Sequence, residues 1–385
     1  MTMASGRADR GTGWEGTVMS SGQTLPSADP DRVLPAQHDQ CRQLRLAVGA
    51  LALPAFFVIG FTLCYTSAWQ ALVPHGVPVA VAGPAAQTAP LRDGLARAVG
   101  RSFEVQAVPT PAAAAREVRD QDLSGAYVPA TQPGGTATVI VATASGNAVA
   151  SAVESVFRAV AVQQRAQLAV RDVRPLPAGD TSGLALFFFL VACTLGGFLT
   201  VTATGLAAPA LRPQYRWPLL LAAVVATPVL GYLIGGQGLG AISGSAGAVV
   251  ALLGVAALFV LIVTMIARGL QLILGTIGTL FAGLAVFVLL NFPSSGASVQ
   301  GPMLPTFWHV LNRFWIGASA SDAFRSIVYF GGQGVGTDVL KLLGWLAVGV
   351  VLLGLGWFKV QRGHQEVTSD ERSAAQPRID SARAD

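Results

Sequence analysis

Charged residues are missing from long stretches of this sequence. Residues 46–91, 181–211, 217–267 and 269–312 contain no Asp, Glu, Lys or Arg, and residues 342–358 form a further uncharged stretch. Charged residues make up 12% of the chain and hydrophobic residues 52%, whereas an average soluble protein carries about 25% charged residues. A helix that spans a bilayer needs about 20 mostly apolar residues. The sequence therefore predicts an integral protein of the lipid bilayer.

The chain is also poor in cysteine, histidine and lysine. Its three cysteines and four histidines show neither metal-ligand spacing nor a disulfide framework. The two lysines, Lys341 and Lys359, are not preceded by the glycines of a phosphate-binding loop, and the arginines are scattered rather than clustered. We therefore expect no catalytic residue, no cofactor or metal bound by this chain, and no nucleic-acid partner.

The lack of charge within the apolar stretches also bears on transport. A proton- or sodium-driven carrier places ionisable groups inside its membrane spans, and these stretches contain no acidic or basic residue. Transport driven by an ion gradient is therefore disfavoured. If the protein moves a substrate, another chain has to supply the energy.

Six membrane spans fit into the apolar stretches. The 51 uncharged residues 217–267 are too many for one helix, and they contain the Gly/Ser-rich segment GGQGLGAISGSAG at 235–247. The predicted fold class is an α-helical polytopic membrane protein with an extracytoplasmic α/β domain between helices 1 and 2. Its six transmembrane helices are expected near residues 46–65, 183–207, 218–234, 247–267, 270–292 and 340–358.

The domain organisation follows from these spans. We expect a disordered cytoplasmic tail at 1–43, transmembrane helix 1 at 44–66, the extracytoplasmic α/β domain at 67–181, transmembrane helices 2–6 at 182–358 with an outer loop at 293–338, and a second disordered tail at 359–385. Within 67–181, strand-like runs such as VPVAVAG and TATVIVAT alternate with helical segments, and a long amphipathic helix runs from Asn147 to about Val170. This alternation predicts a partly parallel sheet.

Arginines in the short loops predict the orientation, because such loops stay preferentially cytoplasmic. Arg42 and Arg45 precede the first span, Arg212 and Arg216 lie between the second and third, and Arg268 lies between the fourth and fifth. With six spans, all of them fall on one side. Both termini are therefore predicted to be cytoplasmic.

Two segments contain residues that are candidates for function. Asp180 precedes the second span, where an aspartate most simply caps a helix N-terminus and, alternatively, acts as a ligand. The segment SDAFRSIVYFGG at 321–332 contains Arg325, Tyr329 and Phe330 on an amphipathic patch. It either anchors at the membrane surface or re-enters the membrane and lines a substrate exit route.

The order of these features resembles that of type-2 ABC exporter permeases, in particular the phage-infection-protein-like branch with a large external insertion. The resemblance covers residues 45–360. It rests on VPVAVAGP at the start of the external domain, on FRSIVYFGG at 324–332, and on the connector DVRPLPAGD at 172–180. Asp172, Pro175, Pro177 and Asp180 are the connector residues at the membrane boundary.

The resemblance implies a subunit of the bacterial plasma membrane that works as a homodimer with a separate cytoplasmic ATP-binding subunit and exports a hydrophobic or envelope-related substrate. ATP would act only through that partner. In such permeases a short loop after the second helix contacts the ATPase, and LRPQYRW at 211–217 occupies that place. Arg212, Tyr215 and Arg216 are the candidate contacts, with a role as positive-inside anchors equally open. The alternative function is a non-transporting envelope scaffold, receptor or secretion accessory whose external domain binds a partner.

Overall fold

The computed structural model describes residues 33–132 and 134–381, with side chains described for 42–132, 134–362 and 365. The chain divides into two units, residues 1–54 and residues 55–385. In the first unit, helix α1 covers Val33–Ala50 and α2 (Ala52–Trp69) begins. Helix α1 and the end of α12 (Val335–Ser381) extend into the segments predicted as disordered tails. The remainder of those two predicted tails lies outside the described residues.

Five helices in the described part of the chain are long and apolar enough to cross a membrane. They include α6 (Ala185–Ala207), α7 (Pro213–Tyr232) and α8 (Ala246–Leu284). The apolar stretches themselves cover Arg42–Trp69, Ala185–Ala207, Pro213–Gly238, Ala246–Ser294 and Val335–Arg362. The protein is thus a polytopic helical membrane protein, as its uncharged stretches predict.

The fourth apolar stretch is interrupted at one glycine. Helix α8 continues through a π-helical turn (Ala285–Leu290) into α9 (Asn291–Ser294), but Gly275 has the non-helical angles φ 75° and ψ 177°. The predicted helix boundary at Arg268 is therefore wrong. An arginine is fully compatible with helical backbone, whereas this combination of angles is one that only glycine adopts readily.

The two halves of this stretch contact α6 in opposite order. Before Gly275, Val260 lies beside Gly197, and further along the chain the side-chain amide of Gln271 donates to the carbonyl of Val201. After Gly275, Gly283 lies beside the ring of Phe198, and further along the chain the side-chain amide of Asn291 donates to the hydroxyl of Thr194, earlier on α6. The chain therefore runs along α6 up to Gly275 and returns along it afterwards.

A five-stranded sheet is built from residues between α2 and α6. Its strands are β1 (Val77–Ala82), β2 (Phe103–Val108), β3 (Gly125–Val128), β4 (Thr136–Val141) and β5 (Gln167–Asp172), in the spatial order β2-β1-β3-β4-β5. The β1–β2, β1–β3 and β4–β5 pairs are parallel and the β3–β4 pair is antiparallel. Helices α3 (Ala85–Val99), α4 (Pro111–Arg119) and α5 (Asn147–Gln163) connect the strands. The predicted partly parallel α/β domain is confirmed.

The last strand corrects one prediction. Residues up to about Val170 were expected to continue the long amphipathic helix, but α5 ends at Gln163 and β5 follows it. Arg165 has a left-handed φ of 52°, which turns the chain out of the helix. The run Gln167–Asp172 then gains hydrogen bonds by pairing parallel to β4.

Alternating residues of the strands fill one core on each face of the sheet. On one face, the rings of Tyr127 and Phe157 stack with centroids 5.1 Å apart, and Val153 of α5 is fully buried with them. On the other face, Ile140 packs with Val118 of α4. This two-sided burial explains why β1 and β4 are almost continuously apolar.

The predicted outer loop at 293–338 contains two helices, α10 (Thr306–Asn312) and α11 (Ile316–Phe330). Helix α11 packs into the core of the helical bundle. Phe324 lies at the centre of this contact, with ring centroids 5.3 Å from Phe189 of α6 and 6.4 Å from Phe259 of α8. Helix α11 is therefore an integral part of the bundle.

Candidate functional site

The connector residues between the sheet and α6 are fixed by hydrogen bonds. Asp172, at the end of β5, accepts from the backbone N–H and the hydroxyl of Thr143 and from the N–H of Arg174. The same hydroxyl of Thr143 accepts from the N–H of Leu176, which lies between Pro175 and Pro177. The connector is therefore held against the residues that follow β4.

Asp180 lies at the start of α6 and is buried. Its two carboxylate oxygens accept from the backbone N–H groups of Leu184 and Ala185, each at 2.9 Å. These are N–H groups that the helix itself leaves without a partner. The carboxylate of Asp180 therefore caps the start of α6, but the N-cap position itself is Leu184, four residues later in the chain.

The burial of helix α11 differs from what is expected of a segment that anchors at the membrane surface. Phe330 is buried, Arg325 retains 13% of its side-chain exposure, and eleven residues of the helix are buried, including Ser319, Ser321 and Ser326. Surface anchoring would leave one face of the helix open to lipid or water. The contacts of α11 with α6, α8 and α12 instead place it within the bundle.

A polar cleft lies between part of the α/β domain and the segment 300–338. Its volume is about 340 Å³, within the range of small-molecule sites. Ser124 and Ser145 belong to the α/β domain, and Asp322, Arg325 and Asp338 belong to α11 and α12. Both parts lie within the second unit. Arg325, one of the residues predicted to line an exit route, thus forms part of the wall of the cleft.

Arg325 is held at the wall of this cleft by three oxygen atoms. Its guanidinium donates to Asp322 Oδ1 at 3.4 Å and to the carbonyl oxygens of Gly296 and Ala297 at 3.0 and 3.5 Å. A second ion pair, Asp338 with Lys341 at 3.3 Å, begins α12. The cleft therefore contains charges of both signs.

Burial within the cleft raises the pKa of Asp322 to about 6, with a further upward contribution from the negative charge of Asp338. The positive charges of Arg325 and Lys341 oppose this shift. The side chain of Asp322 is still 46% exposed, because it faces the open space of the cleft. Water there screens its charge, so the energetic effect is smaller than for a fully enclosed carboxylate.

Tyr329 lies near both Asp180 and Arg325. Burial raises its pKa to about 12, the charge of Asp180 adds to the rise, and the charge of Arg325 opposes it. The phenol oxygen is buried without a hydrogen-bond partner. The structure thus brings Tyr329 of α11 close to Asp180 of the connector.

The predicted ATPase-contact residues separate into two groups. Arg212 and Tyr215 are exposed at the turn between α6 and α7. Arg216 is buried, and its guanidinium donates to the carbonyl oxygens of Ala208 and Pro209. Only the first two residues are therefore accessible to another protein in this conformation.

Sequence reasoning missed one cluster of polar side chains. The rings of His75 and His309 stack with centroids 4.9 Å apart, although the residues lie 234 positions apart in the chain. His309 also contacts the guanidinium of Arg313 and the carbonyl of Gly301. No local sequence pattern predicts this contact, because it depends on the packing of α10 against the residues before β1.

No group of three or more His, Cys, Asp or Glu residues suited to a metal ion occurs in the part of the chain that the structure describes. No family model matches the chain, and no curated protein matches it. The similarity to type-2 ABC exporter permeases therefore remains a prediction from the sequence.

Proposed function

We propose that this chain is the membrane subunit of an exporter in a bacterial plasma membrane. It moves a hydrophobic or envelope-related substrate outward and takes its energy from a separate ATP-binding chain. The observation that carries this proposal is the position of the polar cleft. The cleft lies between the α/β domain and α11, next to a helical bundle whose interior contains hydroxyl and amide groups.

The proposal includes six membrane crossings with both termini cytoplasmic. The Ala246–Ser294 stretch has 49 residues and would be about 74 Å long as one helix, against a hydrocarbon core of about 30 Å. A reversal at Gly275 divides it into two crossings of ordinary length. Arg212 and Arg216 at the turn between α6 and α7, and Arg268 about two helical turns before Gly275, are then near the cytoplasmic side, and the α/β domain is outside.

The proposed route passes along α11. This helix has 15 residues, or about 22 Å, which is too short to cross the bilayer. Beside α11, Asn291 is fully buried. Its side-chain amide nitrogen donates to the hydroxyl of Thr194, and its side-chain oxygen Oδ1 has no hydrogen-bond partner. Weakly polar groups of this kind suit an amphipathic lipid-like substrate better than an ion.

The ATP-binding subunit is proposed to bind at the end of the bundle opposite to the cleft. Arg212 and Tyr215 are exposed at the short turn before α7 and are available to an ATP-binding subunit. Helix α7 also exposes apolar side chains such as Leu221 and Val225, which a second copy of the chain would cover in the proposed homodimer.

Co-purification from the native host in mild detergent tests the proposal. The full chain should bring down a stoichiometric ATP-binding subunit and stimulate its ATP hydrolysis. The double variant Arg212→Glu with Tyr215→Ala should lose that subunit. The matched control is Arg101→Glu, which changes an exposed arginine of the α/β domain and should retain it.

Two results would contradict this proposal. If no ATP-binding chain accompanies the protein, the energy source is absent. If envelope or secretion proteins bind instead, and binding requires residues 69–181, the chain is a scaffold or receptor.

A further inference from the structure

Two arginines from different helices line one pocket at the end of the bundle where α6 turns into α7. Arg216 belongs to the first turn of α7, and Arg268 lies on α8 before the break at Gly275. The pocket has a volume of about 380 Å³. Its remaining walls are mainly apolar and aromatic and include Trp217, Leu272, Val350, Leu353 and Trp357.

Arg216 is a buried cation with an unused donor. The residue is 7% exposed. One terminal nitrogen donates to the carbonyl oxygens of Ala208 and Pro209, at 2.6 and 3.2 Å, but the Nε–H is buried and has no acceptor. Two carbonyl dipoles orient this guanidinium without neutralising it.

Arg268 is oriented by a neutral neighbour. Its guanidinium donates to the side-chain oxygen of Gln271, and the amide nitrogen of Gln271 donates in turn to the carbonyl of Val201 on α6. Gln271 is itself buried, so this chain of hydrogen bonds fixes the position of the second cation. Both arginines are therefore held in place before any ligand arrives.

The helices around the pocket supply no carboxylate. Residues 181–321 and 339–365 contain no Asp or Glu, and these ranges cover α6, α7, α8 and the described side chains of α12 that line the pocket. Among the described side chains, neither Arg216 nor Arg268 forms an ion pair. Arg216 is buried and Arg268 is partly buried. Because burying an uncompensated charge is costly, two such cations in one pocket call for a bound anion.

We propose that Arg216 and Arg268 bind the phosphate group of an anionic glycerophospholipid. The guanidinium group matches phosphate because its planar N–H donors bind two oxygens at once. The apolar walls accommodate the start of an acyl chain, and the two tryptophans suit the interface between headgroup and hydrocarbon. Basic pockets between helices on the cytoplasmic side have the chemistry of lipid headgroup sites.

The phosphate could also come from a soluble compound, so the experiment separates the two sources. The full chain is purified, stripped of lipid and titrated with phosphatidylglycerol or with zwitterionic phosphatidylethanolamine, and bound lipid is counted by native mass spectrometry. Inorganic phosphate is added as a competitor. Quenching of tryptophan fluorescence by brominated phosphatidylglycerol provides a second readout, because Trp217 and Trp357 line the pocket.

We expect phosphatidylglycerol to bind at least tenfold more tightly than phosphatidylethanolamine. Arg216→Gln and Arg268→Gln should each reduce phosphatidylglycerol binding at least tenfold and weaken the quenching. Arg101→Gln is the matched control, since it removes the same charge from an exposed position of the α/β domain and should bind like the unmodified protein. Arg268→Gln alone is decisive if Arg216→Gln does not fold.

Equal affinity for the two lipids, or unchanged binding by both pocket variants, would overturn the proposal. Displacement of phosphatidylglycerol by inorganic phosphate at comparable concentration would overturn the lipid as the ligand and assign the site to soluble phosphate. None of these readouts uses ATP, so the lipid site stands or fails separately from the proposed exporter function.

Discussion

Replacing Gly275 with alanine should destabilise the protein, because φ 75° with ψ 177° is a conformation that is essentially restricted to glycine. A non-glycine residue there costs about 1–3 kcal/mol of backbone strain. No atom lies within 4 Å of the position that an added Cβ would occupy at Gly275. Strain in the backbone, without a steric clash, is therefore the whole expected effect.

Gly254 provides the matched control. It lies in the same α8 helix, and an added Cβ there also meets no atom within 4 Å, but its backbone is helical. Gly254→Ala should be neutral or stabilising by up to about 1 kcal/mol, because alanine has the higher helix propensity. The two variants should thus differ in free energy of unfolding by about 1–4 kcal/mol.

Unfolding of the full chain in mixed micelles of mild detergent and sodium dodecyl sulfate, followed by circular dichroism, measures this difference. Gly275→Ala should unfold at a lower fraction of dodecyl sulfate than Gly254→Ala. If both variants are equally stabilised, residue 275 lies in continuous helix and the reversal of the chain is refuted.

Three further predictions concern single side chains. Because the pKa of Asp322 is raised from its ordinary 3.8 to about 6, the folded state binds the proton more tightly, and stability should fall as pH rises from about 4 to 6. Asp322→Asn should remove most of this dependence. Because the side chain of Asp322 is 46% exposed, the effect on the free energy of unfolding is discounted to at most about 2 kcal/mol. Asp180→Ala should lower the free energy of unfolding by about 1–2 kcal/mol in the same micelle titration, because two backbone N–H groups lose their acceptors. A loss below about 0.5 kcal/mol, the smallest effect expected for a capping side chain, would contradict the capping role. Tyr127→Phe should cost about 1 kcal/mol, because it removes the 2.8 Å hydrogen bond to Gln164, and an unchanged thermal midpoint would contradict that bond.

Several features of the protein follow from local sequence patterns. The uncharged stretches predict membrane helices because each apolar side chain makes its own favourable contribution to the free energy of transfer into lipid. The runs at β1 and β4 and the helix at α4 are likewise readable, since Thr110 caps α4 and Pro111 follows it. Asp180 was interpretable as a cap for the same reason, because a cap acts on residues only a few positions away.

Other predictions were wrong, because two local patterns compete in the same segment. The Val-rich segment that ends in β5 suits either a helix or a strand, and only pairing with β4 decides between them. The boundary near Arg268 was placed by charge, whereas the backbone breaks at Gly275, one of many glycines in apolar surroundings. Which glycine carries the turn is settled by the packing of both helix halves against α6.

By itself, the sequence determined that this is a polytopic membrane protein with a separate small α/β domain, because hydrophobicity and strand–helix alternation are properties of neighbouring residues. Only the tertiary structure decided which polar groups meet. Arg216 and Arg268 line one pocket, His75 stacks on His309, and Arg325 donates to the carbonyl oxygens of Gly296 and Ala297, and each of these arrangements arises from how separate segments of the chain pack. Contacts between distant segments depend on the geometry of the whole bundle, which no local pattern encodes.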